Sequence, residues 1–214
     1  MSDLVFHTVV KRISLPQALR FSGVFRARRV TAVIGGTTIW RSAMLRLAAG
    51  LLRPDDGRVL GPRALYYGGF PLLPAHGSVN LLRRGLGLAR LENGDRRLGT
   101  LSRSECQSVG LDIAFDLSPP ALILADPWTA LPFHARSDLD RRLAAYAASG
   151  RVVILDSEDA DDIARVADDL VVLTATGPTF ISRESRGAAR FDSQEIRALA
   201  SSARGAPPRS RLMI

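Results

Sequence analysis

Cysteine, lysine and long apolar runs are scarce in this sequence of 214 residues, and each scarcity excludes something. Cys106 is the only cysteine, so no disulfide framework within the chain supports the fold and a buried core must do so. No apolar stretch approaches the roughly 18 residues of a membrane-spanning helix. No charged segment runs into an apolar one at the start, as a secretory leader would, and the expected setting is the cytosol. Metal-ligand spacing is missing from His7, His76 and His134, and no Ser/His/Asp or Cys/His set suggests nucleophilic catalysis. Lys11 is the only lysine, so the net charge of +8 rests on arginine. An arginine-favouring genome accounts for that balance, since charge by itself specifies little, and nucleic acid is not the expected partner. Only the tail concentrates the charge, in Arg183, Arg186, Arg190, Arg197, Arg204, Arg209 and Arg211. Internal repeats and a dividing linker are also missing, which leaves one domain of ordinary size.

What is present is organised around Val30 to Pro54, VTAVIGGTTIWRSAMLRLAAGLLRP. It reads as a buried strand, a glycine turn, and a helix with Met44, Leu45, Leu47, Ala48, Leu51 and Leu52 on one broad face. Strand, glycine turn and helix form the layout of a phosphate-binding loop, because backbone N–H groups and the positive end of a helix converge there on an anion. Upstream, Leu4 to Val10 and Phe21 to Arg26 read as short strands parted by Ser14, Leu15 and Pro16. Downstream, Pro54 to Gly57 reads as a turn, and short strands are expected near Val59 and over Ala64 to Tyr67, followed by a loop over Gly68 to Pro74. A helix over Val79 to Leu91 ends at Gly94, and Ser102 caps another from about Ser104 to Leu117.

Ala121 to Ala125, Val152 to Leu155 and Leu170 to Leu173 are apolar strand candidates. Helices over His134 to Ala148 and Asp159 to Ala167 separate them, and a last short helix is expected around Ser193 to Ser201 before a frayed tail from Ala206. Alternating strands and helices imply a mainly parallel sheet covered on both faces, with ligands beyond the carboxyl ends of its strands. The loops after Ile34, Ala125 and Leu155 should therefore meet in one cleft. The acidic cluster Asp156, Glu158, Asp159, Asp161 and Asp162 suits either a cation site or the acidic start of a helix, and the helix start is the expected one.

In order and spacing these landmarks resemble the ATP-binding subunit of an ABC transporter from Leu4 to about Ile181. RVTAVIGGTTIWRSAMLRLAAGLLRPDDGRV is similar to the family's strand, phosphate loop and helix. LSRSECQSVGLDIAF resembles the signature loop, ALILADPWTAL the acidic strand, and RVVILDSEDADDIARVADDLVVL the switch strand and its helix. The resemblance implies an α/β, P-loop NTPase-like cassette: a mainly parallel sheet with flanking helices, a small N-terminal antiparallel β subdomain, and a shortened helical subdomain at about 75–118. It implies a cassette over 1–182 followed by a C-terminal helix and basic tail over 183–214. ATP and Mg²⁺ are the cofactors it implies. A membrane permease and a second ATP-binding subunit, identical or different, are the partners, at the cytoplasmic face of the membrane. Within the family, GGF at Gly68 to Phe70, GLDIAFDLS and ALPFHAR resemble the subunits that export capsular or O-antigen polysaccharide.

The chemistry at each landmark departs from that family. The loop wants Gly, four residues, Gly, Lys and Ser or Thr, whereas Gly35, Gly36, Thr37 and Thr38 lead to Trp40, Arg41, Ser42 and Ala43. Arginine keeps the charge but not the compact ammonium, and the Trp40 indole either fills the phosphate space or folds back into the core. Ser42 still offers a hydroxyl to a metal. In the acidic strand one register puts Ala125 at the metal-holding position and Asp126 at the catalytic base. The other gives Asp126 to the metal and Pro127 to the base. One acid is missing either way, so hydrolysis is expected to be impaired. Ser102, Arg103, Ser104 and Glu105 stand in the signature loop, where Glu105 adds a negative charge. Glu158 replaces the switch histidine, Gly69 the glutamine, Pro132 the dimer-contact aspartate and Ile13 the adenine-stacking aromatic.

Overall fold

A computed structural model describes residues 2–14, 17–68, 73–74, 76–174, 176–187 and 190–203. Its centre is a six-stranded sheet in the order β5-β6-β7-β3-β8-β9, formed by β3 (Val30–Gly35), β5 (Ala64–Gly68), β6 (Ala121–Ala125), β7 (Val152–Asp156), β8 (Asp169–Thr174) and β9 (Gly177–Ser182). Only the β8–β9 pair is antiparallel; the rest are parallel. A smaller antiparallel sheet has the order β2-β1-β4, from β1 (Leu4–Ser14), β2 (Gln17–Phe25) and β4 (Asp56–Leu60). The helices are α1 (Thr38–Ala48), α2 (Val79–Gly85), α3 (Arg103–Asp116), α4 (Phe133–Ala148), α5 (Ala160–Val166) and α6 (Ser193–Ala203), with a 3-10 turn at Leu98–Thr100. This is the expected α/β architecture with its small antiparallel sheet.

Alternation along the central strands sorts the core onto two faces. Ala32, Leu122, Leu124, Val153, Leu155 and Leu170 point to one face with residues of α3, α4, α5 and α6. Val33, Ile123, Ile154, Val171 and Leu173 point to the other, where Met44, Leu45 and Leu47 of α1 and the Phe6, Phe21 and Phe25 rings close the layer. The three rings meet edge to face, with centroids 5.4 to 6.0 Å apart.

Several sequence expectations need correction. β1 and β2 run longer than Leu4 to Val10 and Phe21 to Arg26, because β1 carries a bulge near Thr8 (φ 46) and pairing resumes beyond it. Gly57 lies within β4 opposite that bulge, where a Cβ would fall 2.3 Å from the Thr8 carbonyl oxygen, so the expected turn over Pro54 to Gly57 gives way to a strand at Asp56. α1 ends at Ala48, and Gly50, at φ +71, turns the chain so that Leu51 is exposed rather than part of the apolar face. The helix expected over Val79 to Leu91 stops at Gly85. Beyond it Asn80 Nδ2 donates to Leu91 O at 3.0 Å, Asn80 Oδ1 accepts from Leu91 N at 2.8 Å, and Arg83 Nε donates to Ala89 O at 2.7 Å. These buried polar side chains fold the following segment back as a loop.

β9 was not legible, because Gly177 and Pro178 break its pattern; proline is tolerated there because the strand lies at the sheet edge. Gly69, the Leu15-Pro16 break and the tail from 204 onward lie outside the described residues, as does most of the loop over Gly68 to Pro74.

Candidate functional site

The ends of β3, β6 and β7 do meet at one cleft. A cavity of about 290 Å³ there is lined by Thr38, Arg41, Ser42 and Arg46 after β3, Ala125 and Asp126 at the end of β6, and Asp156, Ser157 and Glu158 at the end of β7, with Tyr66 and Gly68 of β5. A neighbouring cavity of about 480 Å³ shares Thr38, Ser42 and Arg46, and Lys11, Arg12 and Ile13 of β1 line its far side.

Gly35 and Gly36 make the turn from β3, at φ +74 and +55, a conformation that side chains resist. A Cβ on Gly35 would also fall 2.8 Å from the Ala203 Cβ of α6 and 2.9 Å from the Leu173 carbonyl oxygen. Both glycines thus have a packing reason as well as a turn reason. The helix then begins at once. Thr37 is its N-cap, and the Trp40 and Arg41 amides bond to Thr37 O at 3.0 and 3.1 Å, so they are spent inside α1. Of the two outcomes open to the Trp40 ring, it packs half-buried against the core beside α1 and does not line the smaller cavity. Ala43 is buried under α1, and Thr38 and Ser42 both bring hydroxyls to the two cavities.

Arg41 turns inward instead. Its Nε donates to Asp156 Oδ2 at 3.2 Å, Nη2 to Glu158 Oε1 at 2.9 Å and to Thr38 Oγ1 at 3.4 Å, and Nη1 to Gly35 O at 3.3 Å. Asp156 is a hub: its other oxygen accepts the Asp126 amide at 3.0 Å, which ties β6, β7 and α1 together. Burial pushes the Asp156 carboxyl above the ordinary range, with the Asp126 amide and Arg41 pulling the other way. The sequence places Asp156 in an acidic cluster, a helix start or a cation site, whereas the structure ends β7 on it. Its position as the last residue of a buried strand, two before Glu158, was the available signal.

Asp126 sits at φ 45, and its carboxylate accepts a short hydrogen bond from the Thr129 hydroxyl. The turn that follows is held from α3 and α4. Gln107 Nε2 donates to Pro127 O at 2.9 Å, Tyr67 donates its hydroxyl to Gln107 Oε1 at 3.0 Å, and Trp128 Nε1 donates to Asp140 at 2.8 Å. None of Gln107, Tyr67 and Trp128 was singled out in the sequence, although Gln107 and Trp128 are fully buried. Ser42 and Asp126 share a cavity, but among the described residues no group of three or more His, Cys, Asp or Glu side chains is placed to hold a metal.

Ser102, Arg103, Ser104 and Glu105 lie apart from these linings. Ser102 caps α3, and with Glu105 it forms a reciprocal capping box. Glu105 also pairs with Arg96 at 2.5 Å, which with the Ser102 bonds holds its carboxyl down at about 2. Glu105 therefore serves its own helix terminus.

No family model matches the chain. Its sequence is 31% identical over 166 residues to the aliphatic sulfonates import ATP-binding protein SsuB 1 of Nocardia farcinica, covering 69% of this chain and 68% of that one. The chain belongs to the ATP-binding subunits of ABC transporters. The cassette is also 28% identical over 189 residues to the molybdenum import ATP-binding protein ModC of Brucella abortus, covering 68% of this chain and 51% of that one. It thus spans about half the length of those molybdenum relatives. Among solved structures, the ATP-binding subunit of an ABC transporter superposes with a TM-score of 0.77 at 19% identity, over 94% of the cassette and all of that chain. A cassette solved in its ADP conformation gives 0.70 at 17% identity, over 94% of this chain and 95% of that one. At such identities the superpositions speak for the fold alone.

Proposed function

We propose that this cassette is a non-hydrolysing subunit of a membrane transporter, held at the cytoplasmic face by a permease and paired with a second ATP-binding subunit. The observation that carries this reading is the start of α1 at Thr38, before the position where the family's loop would still be wrapping a phosphate. The Trp40 and Arg41 amides close helical bonds to Thr37 O instead of facing an anion. The acidic strand adds to it: Ala125 has no carboxylate, and that of Asp126 is engaged by Thr129. Residues in this arrangement do not fit Mg-ATP as the motif would hold it, and no hydrolytic step is assigned to them. Structural or regulatory support of a permease needs the fold, which is intact.

Among the described residues no helix is long and apolar enough to cross a membrane. Cargo is assigned to surface polysaccharide export on the strings GLDIAFDLS and ALPFHAR, with GGF partly outside the described residues. Import of molybdenum or of an aliphatic sulfonate is the second reading, favoured by the names of the relatives. The deciding experiment isolates membranes from cells expressing the tagged chain and identifies what is retained. Recovery with a permease and a second cassette, and no ATP hydrolysis above background by the purified chain, is the expected result. A protein wholly in the soluble fraction, or steady ATP turnover, overturns the proposal. Neighbouring genes for glycosyltransferases or for a solute-binding protein separate the two cargo classes.

A further inference from the structure

The cation at the loop's lysine position is already neutralised from within. Arg41 is 4% exposed, and carboxylates of Asp156 and Glu158 approach its guanidinium at 3.2 and 2.9 Å. Two acids on a planar, buried fork supply the charge and the acceptor oxygens that a phosphate would otherwise supply. Asp156 is buried, and its carboxylate also accepts the Asp126 amide, which the Asp156 carbonyl oxygen shares at 3.2 Å. Glu158 reaches in from solvent, with a side chain 71% exposed.

We propose that Asp156 and Glu158 occupy the phosphate position as a ligand built into the chain, and so exclude phosphate-bearing molecules from Arg41. They are specificity-determining residues of a negative kind: an incoming polyphosphate must displace Glu158 and then sit against the Asp156 carboxylate, where like charges repel. The proposal rests on the reading of Arg41 as the loop's cation. It goes further by naming what holds that cation and which ligand class is shut out. Glu158 is the removable half of the clamp, because its carboxylate has water to return to.

Inorganic pyrophosphate is the probe, followed by calorimetry and thermal shift on the full chain. The unaltered protein should show no saturable binding. Glu158→Gln should gain measurable affinity, and Glu158→Gln with Asp156→Asn should bind roughly tenfold more tightly than Glu158→Gln alone, a factor of ten corresponding to about 1.4 kcal/mol. Adding Arg41→Met should abolish the gain. Asparagine at 156 retains an acceptor for the Asp126 amide, and Glu158 is exposed, so the single Glu158→Gln variant keeps the test standing if the double variant loses cooperative unfolding. Equal affinity before and after Glu158→Gln, or a gain that survives Arg41→Met, overturns the clamp. ATP turnover by the unaltered protein would instead defeat the non-hydrolysing reading, a separate measurement with a separate outcome.

Discussion

The first turns of α1 and α3 each meet a carboxylate of this same chain, α1 through the Arg41 side chain and α3 through its own capping residues. At α1 a buried pair, Arg41 and Asp156, is joined by Glu158 from solvent, and the partners come from distant segments, 115 and 117 residues away from Arg41. At α3 the arrangement is exposed and local, since Ser102 and Glu105 are three residues apart and Arg96 is nine before Glu105. Both satisfy a positive end of a helix or loop from within. Burial decides what each is worth: a pair out of water is costly to break from one side, whereas an exposed pair is screened.

Breaking the buried pairing should have the larger effect. Arg41→Met strands the Asp156 carboxylate beside the Asp126 amide, and we expect a loss of about 3 kcal/mol in urea unfolding. A loss comparable to that of a surface substitution would mean that the clamp is not formed. Trp40→Gly comes next. The indole packs on the core beside α1, so its removal should destabilise by roughly 2 kcal/mol through lost packing and a glycine in the first helical turn. It should not by itself admit pyrophosphate; binding by this single variant would return the obstruction from Arg41 to the ring.

On the exposed side, Ser102→Ala removes the α3 cap and should cost about 1 kcal/mol, read as lowered amide-exchange protection confined to the start of α3. Smallest of all is the pH response of Glu105. Its carboxyl is held at about 2 against an ordinary 4.5, first by Arg96 and then by the Ser102 bonds. A depressed acid binds fewer protons folded than unfolded, so its contribution is present above the unfolded value and fades as pH falls from about 4.5 toward 2. Arg96→Ala should move the Glu105 titration, followed by NMR, back toward the ordinary range. An unmoved midpoint would show that the capping bonds alone hold it down.

Much of the fold could be read from the chain because the signals were short-range. Uninterrupted apolar runs marked β3, β6, β7 and β8, and the periodicity of Leu139, Leu143 and Tyr146 marked α4. Ser102 announced the start of α3. What resisted was polar and long-range. Asn80 and Arg83 gather backbone groups of the following segment, which sequence periodicity reads as more helix, and Gly177-Pro178 hides a strand that exists only through pairing with β8. The candidate site divides the same way. Meeting of the loops after β3, β6 and β7 follows from the alternation of elements, whereas residue type does not tell that Trp40 packs on the core while its neighbour Arg41 lines the cleft.

The sequence by itself determined the layered α/β architecture and the glycine turn after β3, because periodicity and turn chemistry act between near neighbours. Only the tertiary structure decided which way adjacent side chains of α1 face. Trp40 lies on the core because an indole gains from apolar contact, and Arg41 lies in the cleft because a buried guanidinium requires carboxylates, which the ends of other elements supply only after the sheet has assembled.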